Sequence, residues 1–211
     1  MGHAPIFAQG IAKGNIVKSI TEKEKMLAGK VYQCGDAELM DLWNKGKNLM
    51  RLYNKLDYAD RKEQMRILDE LLGARGEHTQ ITAPFYVDYG NFIFLGNNCE
   101  INMNCVFLDC NKITLGDNVL VAPGVHIYTV THPIKAEERM PRKTNGAFPF
   151  AVAQTAPVTI GNNVWIGGGS IILPGVTIGD NVTIGAGSLV TRSLPSNVLA
   201  YGSPCRVIRE I

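Results

Sequence analysis

The chain has 211 residues, of which 45% are hydrophobic, and its 21 basic and 19 acidic side chains leave a formal charge of +2. A chain of this length suits one domain with a small appendage and can bury roughly 70% of its unfolded surface. Because neither sign of charge forms a long block, the composition argues against a nucleic-acid or a membrane surface.

The cysteines and the N-terminus bear on the compartment. None of the five cysteines forms a C-x-x-C motif and an odd number cannot all pair within one chain, so we expect free thiols in a reducing compartment. No apolar run reaches membrane-spanning length, and the first twenty residues lack both a basic start and a sustained apolar segment. We therefore predict a cytoplasmic protein in which residues 1–20 form a loose leader.

Residues 21–75 have helical spacing. Thr21 with Glu24 forms a capping-box pattern, Asp36 can cap a second helix, and Asp60 can cap a third. The second helix carries an apolar stripe at three- and four-residue steps, made of Leu39, Leu42, Trp43, Leu49, Met50, Tyr53 and Leu56. Because such a stripe needs a partner, this helical segment is predicted to pack on the rest of the chain.

From about residue 83 the period becomes six. Large aliphatic residues recur every six positions, as Ile160, Ile166, Ile172, Ile178, Ile184 and Val190. A smaller residue follows four positions later, as Val164, Ser170, Val176, Val182 and Ser188. Both series are predicted to point inward. Short strands with a turn every six residues are typical of a parallel β-helix, here over residues 83–200 and with about four coils.

Two features qualify this repeat. The step from Phe107 to Leu115 is eight residues, so a small bulge is expected near Asn111. The main alternative fold is a sandwich of antiparallel hairpins, but that fold predicts turn signals every ~8 to 12 residues instead of every six. The solenoid is therefore the preferred interpretation.

The repeat stops at His132. The outward slot of successive sixes is occupied by His126, His132, Thr159 and Trp165, so none of these residues is expected in the core. Thr131 is expected to point inward, and Pro133 ends the strand because it lacks a donor. The rhythm resumes at Val158, so residues 133–157 are predicted to project as a loop beside the imidazole. On the pattern alone, a histidine at such a position is more often a solvated surface residue than a catalytic one.

The chain resembles the maltose/galactoside O-acetyltransferases of the hexapeptide-repeat acyltransferase superfamily, from about Thr21 to Ile211. The segments that carry the resemblance are "TEKEKMLAGKVY", "DYGNFIFLGNNCEINMNCVFLD", "GDNVLVAPGVHIYTVTHPI", "VTIGNNVWIGGGSIILPGVTIGDNVTIGAGSLVT" and "GSPCRVIREI". The resemblance implies a left-handed parallel β-helix with an N-terminal helical segment over the acceptor site. It also implies a homotrimer with active sites between subunits, acetyl-CoA as co-substrate, a small-molecule sugar acceptor and no required metal.

The resemblance places the catalytic histidine of the family at His132. In the implied mechanism the neutral imidazole takes the proton of a sugar hydroxyl, the oxygen attacks the thioester directly, and the imidazolium protonates the leaving thiolate. Asn102 and Asp88 match positions that contact the acceptor. On composition alone, a structural role for Asn102 at a solenoid corner fits equally well.

For coenzyme A, the matched positions are Ala122, Trp165, Gly168, Ala186, Thr191, Arg192, Arg206 and Arg209. Trp165 offers an apolar face to the pantetheine arm, small residues allow a close approach, and arginines bind phosphates bidentately. Without the resemblance, residues 201–211 would be interpreted as a solvated C-terminal tail that carries Arg206 and Arg209.

The sequence departs from the family at the acceptor end. Cys34 stands where galactoside-type members carry an acidic ligand, and Glu100 stands where an aromatic residue is common. The loop after His132 is long and lacks the acidic residue that often follows its glycine. The acceptor therefore stays open among maltose or glucose, a galactoside, an oligosaccharide and another hydroxyl or amine compound.

Two functions of other classes are alternatives. A γ-type carbonic anhydrase needs three histidines around a catalytic zinc. The solenoid offers His126 and His132, to which His78 could add only across an interface. A non-enzymatic scaffold is the third possibility, and the presence of His132, Asn102 and Trp165 together argues against it.

Overall fold

A computed structural model describes residues 19–140 and 152–211. Most of the predicted leader over residues 1–20 and the middle of the predicted loop over residues 133–157 lie outside the described residues. The described chain forms three helices near its start, a solenoid of parallel strands interrupted by a short helix and a two-stranded antiparallel ribbon, and a final antiparallel strand. The predicted fold class, a mainly β parallel β-helix with an N-terminal helical segment, is confirmed. In the described ranges, no helix has the length and apolar character needed to cross a membrane.

Side-chain caps define where the first three helices begin. These helices are α1 (Glu22–Leu27), α2 (Ala37–Tyr53) and α3 (Arg61–Leu71). The Thr21 hydroxyl accepts from the Glu24 N–H while the Glu24 carboxylate accepts from the Thr21 N–H. Asp36 and Asp60 accept N–H bonds of the first turns of α2 and α3. All three predicted caps are confirmed, since each carboxylate or hydroxyl satisfies a donor that the helix leaves free.

Helices α2 and α3 cover the start of the solenoid. Leu49 and Tyr53 of α2 are buried in one cluster with Ile81 and Phe85 of the first coil. The Tyr53 hydroxyl donates to the Ile81 carbonyl at 2.5 Å, and the Asn54 amide both donates to and accepts from the Phe85 backbone at 2.9 Å. The predicted stripe therefore has its partner, although its member Trp43 stays 38% exposed.

The strands are short and follow one another at regular intervals. In chain order they are β1 (Ala74–Arg75), β2 (Gln80–Ile81), β3 (Phe85–Val87), β4 (Ile93–Leu95), β5 (Glu100–Ile101), β6 (Cys105–Leu108), β7 (Ile113–Leu115), β8 (Leu120–Val121), β9 (His126–Tyr128), β10 (Val130–Thr131), β11 (Gln154–Thr155), β12 (Val158–Ile160), β13 (Trp165–Ile166), β14 (Ile171–Ile172), β15 (Thr177–Ile178), β16 (Thr183–Ile184), β17 (Leu189–Val190), β18 (Val198–Gly202) and β19 (Cys205–Glu210). A short helix, α4 (Ala136–Arg139), lies between β10 and β11.

These strands build three sheets that wrap around one core. The first sheet has the order β1-β4-β7-β12-β15, the second β19-β18-β16-β13-β8-β5-β2, and the third β17-β14-β9-β6-β3. Neighbours within each sheet are parallel, except that β19 runs antiparallel to β18. The first and third sheets thus have five parallel strands each and the second has six, so the solenoid has five complete coils and begins a sixth, where the sequence predicted about four.

The additional coil precedes the predicted start at residue 83. Its first strand holds Arg75 in register with Leu95, and the Arg75 guanidinium pairs with the Asp69 carboxylate at 2.8 Å. Because an ion-paired arginine takes the place of an aliphatic residue, the first repeat does not show in the hydrophobic pattern. At the other end, residues 201–211 contain the end of β18 and β19 instead of a tail.

The two inward series form the core as predicted. Every member from Ile160 to Val190 and from Val164 to Ser188 is buried. The two serines of the series need partners there, and their hydroxyls donate to the carbonyls of Gly167 and Gly185. Buried hydroxyls with partners cost little, so they fit the tight corner as well as valine does.

One corner of the solenoid carries a ladder of asparagine side chains. Each Nδ2 donates to the Oδ1 of the next coil at 2.9 to 3.1 Å, through Asn98, Asn118, Asn163, Asn181 and Asn197. All five have a positive φ. Asparagine tolerates this left-handed backbone better than most residues, so the turn and the ladder require the same side chain.

The break at His132 is a change of strand partner. After β9 the chain leaves the third sheet, and β10 pairs antiparallel with β11 instead. The prediction that Thr131 points inward is wrong: Thr131 is exposed, and Thr129 is the buried residue. The inward alternation ends at Thr129 because β10 belongs to the ribbon and not to the solenoid wall.

Candidate active site

His132 lies directly after β10, on the surface of the single chain. Its Nδ1 is 2.8 Å from the carbonyl oxygen of Val152, the first described residue after the gap. Because a carbonyl oxygen only accepts, Nδ1 must carry the hydrogen in this bond. A neutral imidazole then has its lone pair on Nε2, where it can accept a proton.

A cavity of about 360 Å³, which we call the His132 pocket, lies beside this imidazole. Several parts of the chain contribute to it. Helix α2 supplies Met40 and Trp43, the end of the third sheet supplies Asp88 and Tyr89, and Ala153 comes from the chain that returns to the solenoid. Its lining is mainly apolar and aromatic with a few polar groups, which is typical of small-molecule sites.

Asp88, a predicted acceptor contact, lines this pocket. Its Oδ1 is 3.0 Å from Lys47 Nζ, and its Oδ2 accepts from the Cys110 thiol at 3.4 Å. Lys47 also donates to the Val87 carbonyl and lies 5.1 Å from the centre of the Trp43 ring. The carboxylate is therefore fixed in direction and partly neutralised by a cation that α2 holds in place.

Asp109 supports Asp88 from inside the solenoid. It is fully buried, and its two oxygens accept from the N–H groups of Asp88, Tyr89 and Phe92 at 2.9 to 3.2 Å. Burial raises the pKa of Asp109 to about 7, and the N–H donors oppose that rise. Sequence reasoning missed this residue. Its signal was a carboxylate two positions after the inward Phe107, in a slot where the alternation requires a buried side chain.

Two thiols stand beside these groups. Cys34 and Cys110 both line the His132 pocket, and burial raises the pKa of each thiol. Burial likewise raises the pKa of the Tyr32 phenol, which lies in the same wall. All three groups are therefore neutral near pH 7. Cys34 thus contributes a neutral side chain to the pocket.

Asn102 does not meet His132 within one chain. It follows β5 and lines a second cavity of about 170 Å³ with Glu100, Leu120, Ala122 and Trp165. This predicted acceptor contact is therefore on a different flank of the solenoid from His132. The sequence pattern did not reveal this separation.

Four predicted coenzyme A positions share one edge of the second sheet. Trp165 is 54% exposed and lies in register between Leu120 and Thr183. Ala122, Gly168 and Ala186 occupy the corners that follow β8, β13 and β16. A side chain at Gly168 would bring its Cβ within 3.2 Å of the Pro123 carbonyl oxygen, so the corner stays flat.

The remaining predicted positions lie near the end of the solenoid. Arg206 and Arg209 are exposed on β19, and their Nη1 atoms donate only to backbone carbonyls among the described groups. Thr191 and Arg192 follow β17 of the third sheet and are exposed. Within one chain, these four residues therefore lie further along the solenoid axis than Trp165. Thr191 and Arg192, in addition, follow a strand of the third sheet, whereas Trp165 is in the second.

The other histidines do not assemble a metal site. His126 points outward on the third sheet, where its Nδ1 bonds to the Tyr128 hydroxyl at 2.6 Å. Over residues 19–140 and 152–211, no group of three His, Cys, Asp or Glu side chains is arranged to hold a metal ion. The donor set that the carbonic anhydrase alternative needs is thus not found within the described part of one chain.

Comparison with known proteins identifies two segments. Residues 25–76 match the maltose acetyltransferase hexapeptide capping motif, and residues 157–192 match the bacterial transferase hexapeptide of six repeats. Nodulation protein L of Rhizobium meliloti (strain 1021) is 48% identical over 189 residues, which are 89% of this chain and 97% of that protein. Galactoside O-acetyltransferase of Escherichia coli (strain K12) is 41% identical over 188 residues, or 89% and 88% of the two chains.

Solved structures agree with these relatives. A maltose O-acetyltransferase from Clostridium difficile 630 superposes with a TM-score of 0.84 at 46% identity and covers 91% of this chain and 98% of its own. A galactoside acetyltransferase in complex with coenzyme A has a TM-score of 0.84 at 40% identity and covers 92% of both chains. Because fold, capping segment and repeats all coincide over nearly the whole chain, this protein belongs to the maltose/galactoside O-acetyltransferase family of hexapeptide-repeat acetyltransferases and is an acetyltransferase.

Proposed function

We propose that this acetyltransferase transfers acetyl from acetyl-CoA to a hydroxyl of a sugar, with His132 as general base. The observation that carries the proposal is the bond from His132 Nδ1 to the Val152 carbonyl, beside a pocket that also contains a fixed carboxylate. This bond reserves Nε2 for proton transfer. A histidine without a fixed tautomer would be a weaker base toward the acceptor hydroxyl, because Nε2 would carry a hydrogen in part of the molecules.

In the proposed reaction, the His132 side chain both accepts the proton and returns it. Acetyl-CoA, as donor substrate, supplies an acetyl thioester. His132 Nε2 accepts the proton of the acceptor hydroxyl as its oxygen bonds to the acetyl carbon, and the carbon–sulfur bond breaks. The imidazolium then returns the proton to the departing thiolate. The Val152 carbonyl keeps Nδ1 protonated throughout and stabilises the transient positive charge.

The His132 pocket supplies groups that suit a sugar. Its volume of about 360 Å³ lies within the range of small-molecule sites. Asp88 can accept bonds from hydroxyls, and Tyr32, Trp43 and Tyr89 can cover the apolar faces of a ring. Because Cys34 is a neutral thiol, we propose that a single carboxylate, that of Asp88, contacts the acceptor. An acidic residue at position 34 would provide a second carboxylate contact.

The second flank suits the donor. Trp165 presents an exposed ring, and the flat corner at Ala122, Gly168 and Ala186 allows a ligand arm to approach the backbone. Arg206 and Arg209 supply exposed guanidinium groups toward the end of the solenoid, as phosphate binding requires. Thr191 and Arg192 belong to this proposed site through the family resemblance.

A homotrimer would complete the site. Asn102 and the donor positions lie on a different flank from His132, so neighbouring subunits are the simplest way to bring the two flanks together. We propose active sites between subunits of a trimer. The five cysteines, all within the described residues, form no disulfide, which suits a reducing, cytoplasmic location.

The proposal is tested by thiol release from acetyl-CoA over a panel of acceptors. The panel contains maltose, glucose, a galactoside, an oligosaccharide and an amino sugar, and it compares the wild type with His132→Ala. We expect turnover with at least one hydroxyl acceptor, and a loss of about 10²- to 10⁴-fold in kcat in the variant.

A matched control is His78→Asn. His78 is an exposed histidine that lines neither cavity and has a positive φ, which asparagine tolerates. This variant should keep wild-type turnover. Equal turnover in His132→Ala and the wild type would refute the general base, and exclusive use of the amino group would reassign the enzyme as an N-acetyltransferase.

A further inference from the structure

A buried amide lies where the repeat is interrupted upstream of His132. Asn111 occupies the predicted bulge between Phe107 and Leu115 and is only 2% exposed. Its N–H donates to the Thr129 hydroxyl at 2.8 Å, and its Oδ1 accepts from the Lys112 N–H at 2.8 Å. The first bond is made by the main chain and holds the backbone of the bulge, whereas the second orients the side chain and leaves its Nδ2 available to other acceptors.

The Nδ2 of Asn111 joins two distant segments. It lies 3.2 Å from the Leu27 carbonyl and 3.3 Å from the Met26 carbonyl, both at the end of α1. It also lies 3.0 Å from the hydroxyl of Thr155 in β11, and that hydroxyl donates to the Met26 carbonyl. The end of the N-terminal helix, the bulge and β11 are therefore tied together by one buried network, which we call the Asn111 network.

Thr155 connects this network to the imidazole. In the antiparallel ribbon, Thr155 is in register with Val130 and Gln154 with Thr131, so the position of β11 sets what lies opposite His132. The carbonyl that meets His132 Nδ1 belongs to Val152, close before β11. That residue is also fixed through its N–H, which donates to the Arg139 carbonyl at 2.7 Å.

We propose that Asn111 and Thr155 are positioning residues that hold the Val152 carbonyl against His132 and thereby fix the tautomer of the imidazole. The inference rests on the proposed role of His132 as base. If β11 shifts, Nδ1 loses its acceptor, and the proton can move to Nε2, the atom that must be free. A wrong tautomer removes base function although every catalytic atom is present.

The decisive variant is Thr155→Val, which keeps the shape of the side chain and removes the hydroxyl. We expect kcat to fall by about tenfold or more while the KM for acetyl-CoA stays within about twofold, because the donor flank is not touched. The ¹⁵N spectrum of the His132 ring, assigned by its loss in His132→Ala, should change from the Nδ1–H form to a mixture. Thr155→Ser restores the hydroxyl and should recover both properties.

Thr79→Val is the matched control. Thr79 is also buried, and its hydroxyl donates to a carbonyl, that of Gly96, at 2.8 Å, but in the first coil. The control should lose stability without a change in kcat or in the His132 ring spectrum. Equal kcat losses in Thr155→Val and Thr79→Val would overturn the proposal, since the effect would then be general destabilisation.

Two other outcomes also overturn the proposal. One is Thr155→Val with wild-type kcat, and the other is a loss of kcat with the Nδ1–H form intact. If Thr155→Val does not fold, the wild type and Thr155→Ser decide, because an Nε2–H form in either contradicts the fixed tautomer and an Nδ1–H form in both supports it. Full turnover in His132→Ala would instead refute the proposed function, so the two failures are distinguishable.

Discussion

Asp109 shows how one buried carboxylate organises the turn beside the His132 pocket. It receives three backbone N–H groups from the turn that carries Asp88 and Tyr89, and it has no solvent contact. Those donors favour the ionised form, whereas burial favours the protonated one, and burial is the larger effect. The state of Asp109 is consequently linked to folding.

This linkage predicts a pH dependence of stability. The pKa of Asp109 rises from 3.8 to about 7 on folding, so between these values the folded chain retains a proton that the unfolded chain releases. The contribution is complete at low pH and is lost as the pH rises toward 7, by up to about 1.4 kcal/mol per pH unit.

The check is urea unfolding of the wild type and Asp109→Asn between pH 4 and pH 8 at constant protein concentration. The wild type should lose free energy of unfolding relative to the variant as the pH rises, because asparagine does not titrate. Parallel curves would show that the N–H donors keep Asp109 ionised over the whole range.

At the scale of the elements, the asparagines at one corner of the solenoid both form the turn and bond neighbouring coils to each other. We call this corner the asparagine corner. Asn163 has a φ of 56° and bonds to both Asn118 and Asn181. Alanine at this position removes the amide hydrogen bonds and also raises the energy of the left-handed backbone. Glycine removes the hydrogen bonds but adopts this backbone without strain. Asn163→Ala should therefore cost about 1–2 kcal/mol of unfolding free energy, and Asn163→Gly less than half of that.

Thermal or urea unfolding of these two variants measures the order. A cost for glycine that equals or exceeds that for alanine would mean that the amide ladder, and not the backbone conformation, dominates the corner. Neither substitution changes the His132 pocket or the Asn102 cavity directly, because Asn163 lines neither of them. Turnover therefore serves as an internal check that each variant is folded.

The elements that sequence reasoning predicted are those with a local signal. Caps such as Thr21 and Asp36 satisfy their own helix, and a residue such as Ile172 repeats a phase that its neighbours share. What it missed depends on contacts that the hydrophobic pattern does not encode. Arg75 hides the first coil through its ion pair with Asp69, and Thr131 turns outward because β10 exchanges its sheet partner for β11.

The same distinction applies to the site. His132 was found because a broken repeat and a family motif coincide there. Asp109 and Asn111 have no motif, since their roles arise from backbone groups brought near them by the fold. The separation of Asn102 from His132 follows from which corner of a coil each occupies, and no residue type encodes that position.

At the scale of the whole molecule, the proposed active site between subunits predicts subunit complementation. In a trimer with sites between neighbours, His132 of one subunit works with Asn102 of the next. Coexpression of His132→Ala with Asn102→Ala should then restore about a quarter of wild-type activity, because random pairing gives one intact interface in four.

Each variant assayed alone supplies the baseline for this experiment. Sedimentation equilibrium should give a mass of about 69 kDa, three times the 23.0 kDa of one chain. Activity no higher than that baseline in a mixed trimer would mean that both residues serve the same site from one subunit, or that Asn102 has only a corner role.

The two ends of the solenoid have a consequence for how copies can associate. At the start, Tyr53 and Asn54 occupy backbone groups of the edge strands β2 and β3, and at the other end β19 reverses direction against β18. A stack of parallel coils would otherwise offer open edges that a second copy could extend into a fibre. Because both ends of the stack are covered in this way, the flanks remain for contacts between copies, and these flanks carry the His132 pocket and the Asn102 cavity.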